Sequence, residues 1–340
     1  MSTVHDLHQI LSEGSELNIV CHNNPDPDCL ASALALGRIA ADAGIDERHI
    51  LYSGDISHQE NRAFVNLLEI DLKPFDAAAL QERSADSLVA FVDHSTPGAN
   101  NNVLPETAID IVIDHHPADA IDARFVDHRE ELGAAATILA EYVETLEMEV
   151  DPMLATALLF AIRRETLNFL RGPTAAEYDA AGFLHDHADL DLLQTLSTPS
   201  VSGATLDAIA TAISNRTTTS AVLISHVGRT SERDAVPQAA DYLATLEGVE
   251  TVIVFGLIEE SIHLSARSPD PRVHVGDILR ETFADVGSAG GHHDVAGGEI
   301  PLGLFADFTS NDDNLLEIVE QVITARLLAE LDLEVNTEAT

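Results

Sequence analysis

Apolar positions along the chain alternate between two rhythms. Short runs of strand type at 17–21, 49–53, 87–92 and 108–113 are separated by helically spaced stretches at 29–43 and 59–68. The runs at 87–92 and 108–113 are apolar almost throughout, as in strands buried on both faces. Ile138, Leu139, Tyr142, Val143 and Leu146 share one face of a predicted helix over 133–146, and Pro152 opens another over 152–160. Gly172-Pro173 interrupts the pattern, and a further helix is predicted over 174–185. From 197 to 214 the chain turns to Ser, Thr, Ala and Gly, which suits a connector with one short helix. Beyond it come a strand at 220–226, a helix at 236–246, a strand at 249–257 and its hairpin partner at 261–266 across Glu259-Glu260. A helix at 275–283, a flexible glycine-dense loop at 287–298 and an amphipathic helix at 314–330 complete the series. The pattern predicts an α/β fold: a first domain over 1–196 with a parallel sheet flanked by helices, a linker over 197–216, a smaller α/β domain over 217–334 and a disordered tail over 335–340.

Composition adds one unusual property. The 340 residues, enough for about two domains, carry 58 acidic against 17 basic side chains, a formal net charge of -41, and Lys73 is the single lysine. The acids lie within periodic apolar segments rather than in one tail, which argues against disorder. Such a surface resembles proteins adapted to multimolar salt, where the Debye length is about 3 Å or less, so a haloarchaeal type of cytosol is expected. No run approaches the roughly 18 apolar residues of a membrane span, and residues 1–16 lack a basic start and an apolar signal core. A cytoplasmic protein without membrane contact is expected. Cys21 and Cys29, the two cysteines, are read as small buried residues rather than a disulfide framework or thiolate ligands.

Chemistry concentrates where strands end. The first runs into His22-Asn23-Asn24-Pro25-Asp26-Pro27-Asp28, the third into Asp93-His94-Ser95 and the fourth into Asp114-His115-His116-Pro117. Ligands of open parallel sheets bind at the carboxyl ends of the strands, so the three clusters are predicted to face one crevice, with Glu165 reaching it from a helix end. The first stretch alone fits either a metal loop or a plain Asn/Pro/Asp turn in which Asp28 caps the next helix. Several Asp with two His favour Mn²⁺, with Mg²⁺ or Co²⁺ as alternatives and zinc weaker. Two ions sharing a carboxylate could activate water for phosphoryl displacement.

Taken together, these motifs resemble the DHH phosphoesterases that carry a C-terminal DHHA1 substrate domain, over nearly the whole chain. The matching residues are His22, Asp26 and Asp28, then Asp93, then Asp114-His115-His116, and finally Gly290-Gly291-His292 with Val295-Ala296-Gly297. The resemblance implies an active site in the cleft between the domains. It assigns one ion to His22, Asp26 and Asp93 and the other to Asp28, Asp93, His115 and a later carboxylate, with Asp93 as the bridge. His116 would contact the scissile phosphate and Asp114 would orient a neighbouring histidine. Ser265, Arg267, Gly290, Gly291 and His292 would bind substrate. Where the family has Asp-Thr-Gly-x-Phe, this chain has Glu165-Thr166-Leu167-Asn168-Phe169, so Glu165 is either the displaced ligand or a surface acid paired with Arg163 or Arg164. Arg267 is read as a phosphate ligand, with a strand-surface ion pair as the alternative. His94 and His293 receive no role.

The expected function is Mn²⁺-dependent hydrolysis of short oligonucleotides in the manner of a nanoRNase, extending to 3′-phosphoadenosine 5′-phosphate. The alternatives are a RecJ-like single-strand exonuclease, a cyclic-dinucleotide phosphodiesterase and a non-catalytic replication scaffold. So few basic residues disfavour binding of long strands. The expected partners are short oligonucleotides or nucleotide phosphoesters, and a homo-oligomer is compatible with the sequence.

Overall fold

A computed structural model describes residues 4–54, 56, 59–118, 120–198, 201–306 and 312–333. The tail expected to be disordered, 335–340, lies outside the described residues. The chain divides into two compact units, Met1–Pro199 and Ser200–Thr340. Among the described residues no helix is long and apolar enough to cross a membrane.

The first unit runs α1 (Val4–Ser12), β1 (Glu16–Val20), α2 (Pro27–Asp42), β2 (Glu47–Tyr52), α3 (Gln59–Leu67), β3 (Leu72–Pro74), α4 (Ala77–Gln81), β4 (Ser87–Val92), β5 (Ile109–Asp114), β6 (Ala123–His128), α5 (Ala135–Thr145), α6 (Pro152–Glu165), α7 (Ala175–His185) and α8 (Leu190–Ser197). Its six strands are parallel, in the order β3-β2-β1-β4-β5-β6. Alternation along each strand builds a core on both faces. Ile19, Ala90, Val92, Ile111 and Ile113 pack with Leu30, Leu36, Leu139 and Leu158 from α2, α5 and α6. Val20, Val89, Phe91 and Val112 bury the opposite face with Leu80 and Val103. Chain direction across the sheet reverses between β1 and β4, so their carboxyl-terminal loops diverge there and open a crevice. His22 and Asp93 lie in those two loops.

Several elements escaped the sequence reading. Helix α1 buries Val4, Leu7 and Leu11, and α8 buries Leu193 and Leu196. Strand β3 is a three-residue edge ending in Pro74, where a missing N–H is tolerated. Strand β6 buries Phe125 and Asp127 alternately with more exposed neighbours.

In the second unit come α9 (Gly203–Ser214), β7 (Thr217–Thr219), β8 (Val222–Arg229), α10 (Ala235–Leu243), β9 (Thr251–Ile258), β10 (Ser261–Arg267), α11 (Val275–Phe283), β11 (Ser288–Gly291), β12 (Val295–Pro301) and α12 (Asp312–Glu330). Sheet order is β11-β12-β10-β9-β8-β7, with only β8 and β9 parallel. The stretch read as a connector contains α9, whose Ala208 and Ala212 pack with Leu223, Val236 and Val254 of this unit.

The glycine-dense segment expected to be a flexible loop is instead the β11–β12 hairpin. Its glycines permit close packing: a Cβ on Gly291 would lie 2.5 Å from the Val295 carbonyl oxygen, and one on Gly276 of α11 would lie 2.4 Å from that of Gly291.

Candidate metal centre

The loop after β1 is shaped by helix capping. Asp26 caps α2, its Oδ1 accepting the N–H groups of Asp28 and Cys29 at 3.0 and 3.1 Å. The cap is therefore Asp26, where the turn reading had placed Asp28. Proline at the first helical position puts Asp28 in the opening turn of α2, buried. From there its carboxylate accepts the N–H groups of Ala135 and Ala136 at 2.8 and 2.7 Å. It thereby caps α5, whose own cap residue Ala134 supplies no side-chain bond. Asp28→Ala is expected to cost about 1–2 kcal/mol, as a lost N-cap does, seen as a lower thermal midpoint in metal-free protein. An unchanged midpoint would refute the capping role.

Asp93 is buried in the turn after β4, with its backbone in the left-handed region at φ 64°. Its two oxygens face different histidines. Oδ2 lies 3.5 Å from His22 Nε2, which is also 3.8 Å from Asp26 Oδ1. Oδ1 lies 3.3 Å from His115 Nε2, which is 3.7 Å from Asp28 Oδ2. His22 and His115 each place Nδ1 3.0 Å from a backbone carbonyl oxygen, of Asn23 and Leu132, so in the neutral ring that a metal requires an Nδ1–H bonded there leaves the lone pair on Nε2. Asp93 Oδ1 and His115 Nε2 are buried yet make no hydrogen bond among the described residues. An unbonded carboxylate oxygen and imidazole nitrogen, converging with His22, Asp26 and Asp28, make a donor set that fits divalent cations of the Mn²⁺ type.

Charge within the cluster is strongly coupled. Burial alone would lower the pKa of His22, but the facing Asp26 and Asp93 carboxylates outweigh it and hold it up to about 11. His115 is likewise pushed down by burial and raised to about 10 by Asp93 and Asp28. Asp93 is held below the usual carboxylate range: burial opposes this, and His115, His22 and His116 prevail. Asp28 is pushed well above that range by burial and by the Asp93 charge.

Asp114 Oδ1 accepts the N–H groups of His115 and His116 and lies 3.0 Å from His116 Nδ1. That contact raises the exposed His116 imidazole. His94, given no role from sequence, is buried with its ring stacked on Phe91 at 4.4 Å and Nδ1 2.9 Å from the Val92 carbonyl oxygen. Burial lowers its pKa to about 4.

Glu165 ends α6. Burial raises its carboxyl, as do the nearby charges of Asp26 and Asp93. Its ion-pair partner is Arg171, at 3.0 Å, rather than either arginine beside it in sequence. Arg164 pairs with Glu60, and Arg163 binds Asn168 Oδ1. The intervening Leu167, Asn168 and Phe169 have φ of 49°, 56° and 64°, a left-handed run costing roughly 1–2 kcal/mol per residue. Sequence reasoning missed Arg171 because only this turn returns it to Glu165.

The remaining predicted residues belong to the second unit. On β10, Arg267 donates Nε–H to Asp241 Oδ1 at 2.6 Å and Nη1–H to the buried Ser265 Oγ at 2.9 Å. The ion-pair alternative thus describes this state of Arg267. Gly290 and Gly291 are strand residues of β11, and His292 is exposed in the hairpin turn.

Residues 16–162 match the model of the DHH family N-terminal domain, and residues 205–325 that of the DHHA1 domain. The chain is 38% identical over 313 residues to an uncharacterized protein of Methanocaldococcus jannaschii, covering 92% of this chain and 63% of that one. It is 25% identical over 303 residues to the cyclic-di-AMP phosphodiesterase PdeA of Listeria monocytogenes, covering 84% and 45%. The chain thus spans about half the length of the curated relatives it matches. Among solved structures, an exopolyphosphatase-related protein from Bacteroides fragilis superposes with a TM-score of 0.73 at 13% identity, covering 96% of this chain and 97% of that one. RecJ from Thermus thermophilus, in complex with Mn²⁺, superposes with a TM-score of 0.54 at 15% identity, covering 97% and 55%. The chain therefore joins a DHH-family N-terminal domain to a DHHA1 domain.

Proposed function

We propose that this chain is a metal-dependent phosphodiesterase acting on short oligonucleotides of about two to five residues, and on 3′-phosphoadenosine 5′-phosphate. The observation that carries the reading is the buried Asp93 carboxylate, one oxygen facing His22 and Asp26 and the other facing His115 and Asp28. His22, Asp26 and Asp93 would hold one Mn²⁺, and Asp28, Asp93, His115 and Glu165 the other. Bound there, such ions supply Lewis-acid activation of water and neutralise phosphate charge. The chain's own part is positioning. Asp114 fixes the His116 ring through Nδ1, which leaves Nε2 to meet a phosphate oxygen, and the raised pKa favours the imidazolium that would do so. Arg267 would exchange Asp241 for a substrate phosphate, to which a guanidinium donates in bidentate fashion, and Gly290 and Gly291 of β11 with His292 after them would bind beside it.

The preference for short substrates follows from charge, because 17 basic residues against 58 acids offer little to a long phosphate backbone. A second reading, cleavage of cyclic dinucleotides, is favoured by the Listeria relative, whose similarity extends over 84% of this chain. A panel in concentrated KCl with Mn²⁺ separates them: 2-mer, 5-mer and 20-mer RNA and DNA, cyclic di-AMP, and 3′-phosphoadenosine 5′-phosphate. Turnover is expected to be fastest on 2-mers. Equal or faster cleavage of the 20-mer would replace the proposal with a RecJ-like exonuclease, preference for cyclic di-AMP would favour the second reading, and inactivity on all would leave a scaffold.

A further inference from the structure

Glu165 stands where the resemblance places a shorter Asp, so its carboxylate has one more rotatable bond to fix before it can serve an ion. The fold addresses that freedom. Arg171 Nη2 donates to the Glu165 backbone carbonyl at 2.8 Å and to Glu165 Oε1 at 3.0 Å, gripping both ends of the same residue. The chain reverses within six residues to achieve this. Leu167 N–H bonds to Arg164 O and Asn168 N–H to Arg163 O, while Leu170 N–H and Arg171 N–H both reach Thr166 O. Thr166 is fully buried, its Oγ1 accepts the Phe169 N–H at 3.1 Å, and Phe169 stacks on Tyr178 at 5.1 Å. Three consecutive non-glycine residues in the left-handed region are held by these bonds, and such conformations persist only where the surroundings over-determine them.

We propose that Arg171 is a positioning residue: it pins Oε1 of Glu165 so that Oε2 is presented to the second ion of the centre. This role presupposes the two-ion reading above. Outer partners that orient a ligand typically contribute about 10–100-fold to metal affinity.

The test is calorimetric titration of the metal-free full chain with Mn²⁺ alone, with bound ions counted by electron paramagnetic resonance, for wild type, R171A and R171K. Wild type is expected to bind two ions. R171A is expected to weaken only one of them, by about 10-fold or more. R171K, whose ammonium can still meet Oε1, restores most of that affinity. Two ions bound equally tightly by wild type and R171A overturn this inference alone, even if R171A raises KM, which would make Arg171 a substrate contact. Equal weakening of both ions by R171A and R171K, with a lower thermal midpoint, also overturns it, as a merely structural role. A wild-type chain that binds fewer than two ions overturns the two-ion reading and this role with it.

Discussion

Asp93→Asn is expected to abolish Mn²⁺-dependent hydrolysis and to weaken Mn²⁺ binding by more than the roughly 100-fold upper range of outer-partner changes, with the fold retained. Both oxygens of Asp93 are committed, one to each histidine, and an amide keeps the shape while removing the charge and one acceptor. Asparagine is the informative replacement because residue 93 has φ 64°, which Asn adopts readily, whereas alanine adds a backbone penalty of roughly 1 kcal/mol. Equilibrium Mn²⁺ binding and circular dichroism on Asp93→Asn therefore separate chemistry from folding. Hydrolysis at the wild-type rate would eliminate the bridging role of Asp93.

Mn²⁺ binding should release protons. In metal-free protein at pH 8, His22 and His115, with values of about 11 and 10, are both imidazolium. Coordination requires neutral rings, so about two protons leave per chain from these groups when both ions bind. Titrations in two buffers of different ionisation enthalpy measure the number directly, and a heat independent of buffer would contradict the assignment. The same shifts set the direction of stability with pH. Both folded values lie above the unfolded value near 6.5. Their stabilisation of the metal-free chain is therefore fully present below about pH 6.5 and lost as pH rises through about 10 to 11. Thermal midpoints of metal-free protein should fall across that window.

Much of this was legible in the chain because continuous apolar runs mark parallel strands and the strand order brings their carboxyl ends together. Strand β4 runs over Ser87–Val92, as its apolar run indicated, and Asp93 follows directly. Short or half-polar elements were less visible. Strand β6 carries the alternation of Phe125 and Asp127, and α1 the spacing of Val4, Leu7 and Leu11, so both had usable signals. Strand β3, three residues long and ending in proline, had almost none. Contacts that depend on tertiary closure were illegible altogether. Nothing local links Asp28 to the N–H groups of Ala135 and Ala136, and nothing local brings Arg171 back through three left-handed residues to Glu165. The glycine-dense segment read as a loop because glycine usually signals flexibility; here a side chain on Gly291, or on Gly276 of the α11 helix packed against it, would put a Cβ 2.5 or 2.4 Å from a backbone carbonyl oxygen.

Cys29 sits in the wall of the centre, its Sγ within 4.8 Å of a ligand atom of His22 and of Asp93. Burial, then the neighbouring Cys21, Asp93 and Asp26, push its thiol well above the ordinary value, and its Sγ–H donates to the Val92 carbonyl oxygen at 3.5 Å. A neutral thiol is a poor nucleophile. In the metal-free chain burial and the surrounding acids thus keep this sulfur in its protonated, weakly nucleophilic form, so a cysteine in the wall of an acidic centre is expected to react slowly with thiol-alkylating reagents.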